Sequence, residues 1–412
     1  MSRIIFHIDA NSAYLSWEAV YRLQHGAEID LREIPSIVGG DEKKRHGIVL
    51  AKSIPAKKYN IITGESVHSA LQKCPDLVIV PPNYERYINA SNSMIDLLSQ
   101  YSPHIQRYSI DEVFMDFSNT DTYYLDTAYE IKDRIKKELG FTVNIGIGPN
   151  KLLAKVASDF KKPDKVHTLF SHEIAEKMWP LAVENLFMVG LRTKSKLNSR
   201  GIYTIGELAK LNRDYLYSWL KKPGLLIWDY ANGIENSDVK GKSPPIKSVG
   251  NSTTTAFDVE TSTEAHKVLL ALCEMVGMRI RNLNSCGSVI SVGLKNNNFI
   301  RYSHQRKLDI PTSSTNTIYK NVVSLFNEVW TNEPLRHLSV SISDISSDEF
   351  FQLSLLENYN KRDKILDETI DKLRFKFGYN SVIRSCFLHS GINPIIGGVM
   401  MEEEYPMMSS KL

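Results

Sequence analysis

YSIDEVFMDF, residues Tyr108–Phe117, is apolar enough to form a buried strand, yet it carries adjacent carboxylates at Asp111 and Glu112. An ionised carboxylate inside an apolar strand is costly unless a cation or a donor meets it. A third acid, Asp9, ends the first apolar run of the chain, FHIDANSAY. Three acids from two strands of one sheet can converge on one face, and like charges that close repel unless divalent cations lie among them. Hard oxygen donors select Mg²⁺, which commonly completes its shell with water and substrate phosphate. Two such ions roughly 3.5–4 Å apart clamp the attacking and leaving oxygens of an in-line phosphoryl transfer.

The bulk composition sets the frame for this site. A chain of 412 residues exceeds what a single core supports, so two to four domains are expected. With 42% hydrophobic and 24% charged residues it reads as globular, not disordered. It contains neither a membrane-length apolar run of roughly 20 residues nor a signal-peptide core. Four scattered cysteines without a CxxC pair suit a reducing cytoplasm and argue against a zinc site or a disulfide frame. The net charge of +3 hides an asymmetry: residues 1–160 carry −2, 161–236 carry +4, 241–340 carry +4 and 341–412 carry −3. Basic central segments suit a polyanionic partner.

Around the acids, strands alternate with long helical patterns up to about residue 165, an α+β arrangement. RIIFHIDANSAYLSWEAVYRL passes from strand to helix near Ser12, and IPSIVGGDEKKRHGIVLAKSI reads as a hairpin. TGESVHSALQKCP reads as a helix capped by Thr63 or Gly64 and closed by Pro75. LVIVPP reads as a short buried strand, and YERYINASNSMIDLLSQYS as an amphipathic helix. The strand at Tyr108–Phe117 is expected to pair with FTVNIGIG across the helix TAYEIKDRIKKEL. From Ser171 to about Asn232 the pattern is wholly helical, and GIENSDVKGKSPPIKSVGNS reads as a linker. Strands in GSVISVGLKNNNFIRYSHQRKL and RHLSVSISDIS then define a second small α+β domain, followed by a helix in KRDKILDETIDKLRFKFG.

Together, FHIDANSAYLSWE, YSIDEVFMDF and GIGPNKLLAKVASDFKKP resemble the Y-family DNA polymerases, the translesion enzymes of the bacterial polymerase IV and V type, with order and spacing that fit to about residue 345. The resemblance implies a multidomain right-hand polymerase with a ferredoxin-like palm (1–10 and 76–165), small fingers (11–75), a helical thumb with a helix–hairpin–helix (166–235), a linker (236–246), an α+β little finger (247–348) and a C-terminal tail (349–412). It implies low-fidelity, template-directed addition of dNTPs to a primer 3′ end in DNA repair and damage tolerance. Asp9, Asp111 and Glu112 would hold two Mg²⁺ ions, with the Ala10 carbonyl as a further ligand.

Within that resemblance, Tyr14, five residues after Asp9, matches the steric-gate aromatic that excludes ribonucleotides by shape. Lys162 in DFKKP matches the palm lysine that meets the triphosphate. Lys57 falls where the family usually places Arg, and a lysine is a point charge, not a bidentate fork. Ile54 stands where many members have a phosphate-contacting Tyr. LFMVGLRTKSKLNSRGIYTIGELAKL resembles a helix–hairpin–helix whose turn at Gly190 offers N–H groups to a DNA phosphate. Leu197 is expected to pack its first helix, Gly201 to end it, and Thr204 with Glu207 to cap the second; Leu191 stands where the family's turn has a second glycine. In the little finger, Arg301, Arg306 and Lys307 suit a sequence-blind grip on phosphates.

Two short strings remain. VGGDEKKR, Val38–Arg45, contains the GGDE of diguanylate cyclases, but Lys43 follows and the hairpin belongs to the fingers, so it reads as a turn only. Gln352, Leu353, Ser354, Leu355 and Leu356 resemble the QLxLF-type peptide that docks in the bacterial sliding clamp. The implied partners are primer–template DNA, dNTPs and that clamp, with room for SOS-type accessory proteins and none for a membrane. Two other readings compete: a nucleotide cyclase on a related palm, active without DNA, and a non-catalytic clamp- and DNA-binding accessory protein. The first leaves the basic second half unused, and the second leaves three intact acids unexplained.

Overall fold

The computed structural model describes residues 3–40, 47–118, 122–240, 245–348, 361–388 and 390–392. They form two units that part at the linker, between residues 240 and 245.

In the first unit β1 (Ile5–Ala10) is buried at every position, as a central strand requires. Ser12, in a left-handed conformation (φ 48°), turns the chain from β1 into α1 (Ala13–Gln24). The expected hairpin forms from β2 (Ser36–Gly39) and β3 (Val49–Lys52). Behind it come the short α2 (Ile54–Lys57), α3 (Val67–Lys73) and β4 (Val78–Val80). The cap of α3 is Ser66, whose hydroxyl accepts from the Ser69 N–H, and not Thr63 or Gly64. Glu65 is used otherwise: its carboxylate takes the Ile62 N–H and pairs with Lys73. β4 is not a buried strand of the main sheet. It pairs in parallel with β2, giving the small sheet β3-β2-β4, with Val78 and Ile79 more than a third exposed. The palm boundary at residue 76 therefore falls inside this small sheet.

α4 (Tyr84–Leu98), β5 (Ile105–Arg107), β6 (Glu112–Asp116), α5 (Tyr124–Arg134), β7 (Val143–Gly148), α6 (Lys151–Asp159) and β8 (Val166–Thr168) complete a five-stranded sheet of order β5-β6-β1-β7-β8. The expected pairing of β6 with β7 is wrong: both pair antiparallel with β1, which lies between them. β6 and β7 are thus parallel to each other, and the α5 connection leaves one strand's width for β1, a split βαβ arrangement. Phe6, Ile8, Leu15, Trp17, Met94, Met115 and Ile145 are among the side chains of its core. α6 lies hard against β7 because Gly146 has no side chain; a Cβ there would fall 1.9 Å from the Ala154 carbonyl oxygen.

The helical segment follows as expected. Gly190 precedes α7 (Leu191–Asn198), Leu197 is fully buried, and Gly201 turns the chain at φ 76°. The Thr204–Glu207 capping box opens α8 (Ile205–Ala209). α9 (Arg213–Ala231) is broken at Lys221, φ 56°, two residues before Pro223. Beyond it the chain does not leave the unit at once: Asn150 donates to the Gly233 carbonyl at 2.8 Å, Arg3 to Ser237 at 2.8 Å and Lys151 to Asp238 at 3.1 Å.

In the second unit β9 (Ser248–Val259) leads into α10 (Ser262–Asn282), then β10 (Ser285–Asn296), β11 (Arg301–Thr312), α11 (Thr315–Val329) and β12 (Leu335–Ser347). The antiparallel sheet has the order β11-β10-β12-β9, with α10 and α11 sharing its core through Val276, Ile290, Phe326 and Val340. β9 begins in residues read as the end of the linker, Ser248–Ser252, and runs on to Val259. α12 (Lys361–Phe377) forms where the sequence places a helix, and packs on α10 with its charged face inward: Asp367, Asp371 and Arg374 are buried while Ile365, Leu366 and Phe377 are exposed.

Candidate active site

Strand register brings the acids together. Asp9 and Glu112 are direct partners across β1 and β6, and the Ala10 N–H donates to the Asp111 carbonyl at 3.0 Å. Carboxylates directly opposite on paired strands repel. Asp9 is only 7% exposed. Burial pushes its carboxyl up to about 7; Lys162 pulls it down, and the charges of Glu112 and Asp111 add to the rise. Glu112 is raised as well, by burial first, although Lys155 opposes this.

Two lysines meet these charges. Lys162 donates to Asp9 Oδ2 and pairs with Asp159 at 2.8 Å, so one ammonium serves two carboxylates. Lys155 on α6 donates to Glu112 Oε1 at 2.6 Å. Asp111 is held by its own bend, accepting from the Ser109 hydroxyl at 2.5 Å. The second oxygen of Glu112, Oε2, is buried without a hydrogen-bond partner, and so is His7 Nε2 at 4.0 Å from it. With the lysines drawn onto Asp9 and Glu112, no three acidic, histidine or cysteine side chains among the described residues enclose a metal position. The donor set nevertheless suits a hard cation: three carboxylates, one with a bare buried oxygen, and a net negative charge that two ammonium groups only partly offset.

Tyr14 joins this cluster. Its ring stacks on Tyr87 (centroids 4.6 Å, planes 12° apart) with Tyr84 edge-on at 6.1 Å. Burial, then the nearby charge of Asp111, pushes its hydroxyl up to about 12. Lys57 stands exposed at the end of α2, where its charge, after burial, helps to lower the pKa of Lys52. Gly190 borders a cleft of about 440 Å³ that Lys155, Tyr108, Asp159 and Met188 also line, so the turn before α7 opens onto the same space as the lysine that holds Glu112.

In the second unit the three expected basic residues do not share a face. Side chains alternate along a strand. Arg301 and Lys307 are exposed on β11, opposite Lys295 and Val289 of β10. Arg306 projects to the helix side, donating to Glu328 and to Ser324 at 3.2 Å on α11. Gln352, Leu353, Leu355 and Leu356 lie outside the described residues, as do Asp41 and Glu42 of the GGDE string.

Reading the sequence assigned no role to Lys155, nor to Asn11 and Asn144. Asn11 Oδ1 accepts from Thr142 Oγ1 at 3.0 Å and the Asp164 N–H at 2.9 Å, and its Nδ2 donates to Asn144 Oδ1 at 3.2 Å. Asn144 in turn donates to the Lys161 carbonyl at 2.8 Å. The pair fixes the backbone on both sides of Lys162. An asparagine amid the apolar run FTVNIGIG was the available signal, since a fully buried amide needs partners.

The sequence profile of the impB/mucB/samB family matches residues 8–159, and that of the family's C-terminal domain matches residues 246–355. The chain belongs to the Y-family DNA polymerases. It is 49% identical over 391 residues to a protein named DNA polymerase IV from Clostridium acetobutylicum, covering 94% of this chain and 99% of that one. It is also 36% identical over 397 residues to DNA polymerase IV 2 of Bacillus subtilis, covering 94% and 95%. A solved Y-family DNA polymerase chimera, Dbh-Dpo4(243-245)-Dbh, has the same fold, with a TM-score of 0.73 at 22% identity over 84% of this chain and 99% of that one. The architecture is that of a right-hand polymerase, and membership implies a divalent metal cofactor. No helix among the described residues is long and apolar enough to cross a membrane.

Proposed function

We propose that this Y-family chain, a DNA-directed translesion DNA polymerase, extends a primer with Asp9, Asp111 and Glu112 as the ligands of two Mg²⁺ ions and the Ala10 carbonyl as a further one. The observation that carries this reading is the register of β1 and β6, which sets Asp9 against Glu112 and leaves Glu112 Oε2 buried and bare. When bound, the ions would activate the primer 3′-hydroxyl and neutralise charge developing on the triphosphate. The chain's own groups do the rest by placement. Tyr14, backed by Tyr87, closes the space beside the sugar. Lys162, at the solvent edge of the acids, and Lys57 supply cations for the triphosphate. Gly190 offers backbone N–H groups to a DNA phosphate, and Arg301 and Lys307 grip phosphates from the outer face of β11. Arg306, committed to α11, is dropped from that grip. The domain bounds keep the order palm, fingers, palm, thumb, linker, little finger and tail, with β4 moved to the fingers sheet and β8, read as the start of the thumb, moved to the palm sheet. Gln352–Leu356 would dock in the sliding clamp.

The test is primer extension on a templated oligonucleotide with Mg²⁺ and four dNTPs. Asp111→Ala and Glu112→Ala are expected to lose on the order of a thousandfold or more in rate, because they remove charge stabilisation at the reacting phosphate. Fluorescence anisotropy should find their affinity for the primer–template unchanged. Extension by either variant at the parental rate would make the metal-site assignment wrong.

A further inference from the structure

Glu112 is an asymmetric carboxylate, with one oxygen held by an ammonium at 2.6 Å and the other buried without a partner. We infer that Lys155 is a positioning residue for Glu112: it fixes Oε1 so that Oε2 is the oxygen offered to a divalent cation. The inference rests on the reading of Glu112 as a cation ligand and names the group that orients it.

A lysine side chain is ordinarily too mobile to orient anything, but this one is confined. Lys155 is 8% exposed, and its ammonium lies 5.3 Å from the centre of the Tyr108 ring as well as against Glu112. Its helix lies close on β7, because α6 rests on the bare backbone of Gly146, where a Cβ would come within 2.4 Å of the Ser158 nitrogen.

The Lys155 backbone is also linked to the histidine that neighbours the second oxygen. The Ser158 hydroxyl donates its proton to the Lys155 carbonyl at 2.7 Å, so at 2.8 Å it can only accept from His7 Nδ1. That assigns the ring proton to Nδ1. His7 Nε2 lies 4.0 Å from Glu112 Oε2, and the two atoms make no hydrogen bond. Lys155 thus occupies one oxygen of the carboxylate, and the other has no hydrogen-bond partner.

A positioning role and simple charge neutralisation predict opposite signs. If Lys155 only placed a positive charge near the cation, removing it would tighten cation binding. If it orients Glu112, removing it loosens binding, by the roughly 10- to 100-fold typical of groups that orient metal ligands. The experiment is a Mn²⁺ titration of the full chain with primer–template and a dNTP bearing a non-hydrolysable α,β bridge, following free Mn²⁺ by its electron paramagnetic resonance. Lys155→Met should bind Mn²⁺ about tenfold or more weakly than the parent. Affinity equal to or above the parent's overturns the inference. Lys155→Gln keeps an amide donor without the charge and serves if the methionine variant melts below the assay temperature. Affinity below the parent's supports positioning, and equal or tighter binding overturns it. Glu112→Ala separates the two levels: if it leaves Mn²⁺ affinity unchanged, the ligand assignment has failed and this inference with it. If it weakens binding while Lys155→Met does not, only the positioning role has failed.

Discussion

Asp9 and Glu112 face each other across two strands, an arrangement that pays no return in a metal-free protein and that two lysines must partly neutralise. Those acids were legible because carboxylates are anomalous within apolar runs, and Tyr14 because its spacing from Asp9 matched a family pattern. In the proposed gate the Tyr14 ring would be a rigid wall, since it is stacked on the fully buried Tyr87 and braced by Tyr84. Tyr14→Ala is therefore expected to open space beside the sugar and lower dNTP-over-rNTP selectivity by on the order of a hundredfold, the scale on which a shaped apolar pocket rejects an added hydroxyl. Single-nucleotide incorporation with matched dNTP and rNTP pairs measures it, and unchanged selectivity would sink the gate assignment. What spacing could not give was the direction of each cation. Lys155 and Lys162 sit in one motif seven residues apart, and only the fold sends one to Glu112 and the other to Asp9.

Helices and strands were readable where periodicity was strong, and misread where neighbours decide. β6 and β7 both had clear strand patterns, but nothing local says that β1 comes between them. β9 was missed because its inward positions include Asn251, Thr253 and Thr255, which look like linker residues until a partner strand buries them. α12 was legible as a helix, but not which of its faces turns inward. The inward face is set by ion pairs: Arg281 with Asp371 at 2.7 Å, and Glu274 on α10 with Arg374 at 2.7 Å and with Arg384. Burial would raise the Glu274 carboxyl, but the two guanidinium groups outweigh it and hold it below 4.5. Its stabilisation is thus complete above about pH 4.5 and lost as the pH falls through the depressed value. Asp367, raised by burial, titrates in the opposite sense. Glu274→Ala leaves Arg374 buried and unpaired at a cost of about 3 kcal/mol. Hydrogen exchange across residues 361–388 should then quicken by roughly a hundredfold at neutral pH. In the parent the same protection should weaken below about pH 4.5. Exchange unaltered by the substitution would mean that α12 is held by something other than this network.

At the scale of the whole chain, the modest net charge of +3 conceals basic segments at 161–236 and 241–340, which is where the helix–hairpin–helix and the outer face of β11 lie. Such surfaces bind DNA without reading sequence, and weakly at physiological salt. A polymerase that grips its template mainly through phosphate contacts gains from a tether, and Gln352–Leu356 resembles one. Gln352→Ala combined with Leu355→Ala should leave distributive extension on bare primer–template nearly intact, since neither residue belongs to the acid cluster or to the basic segments. On templates loaded with a bacterial sliding clamp the double variant should lose its stimulation. Two anchors worth about 1–2 kcal/mol each lower a micromolar peptide affinity by on the order of tenfold apiece. At that affinity the tether no longer raises the local concentration of polymerase at the primer end. The comparison must be made at one salt concentration, because DNA affinity itself falls steeply with salt and would mask the tether. If the clamp stimulates the double variant as strongly as the parent, QLSLL is an ordinary stretch of chain and the polymerase reaches its template through its basic surfaces alone.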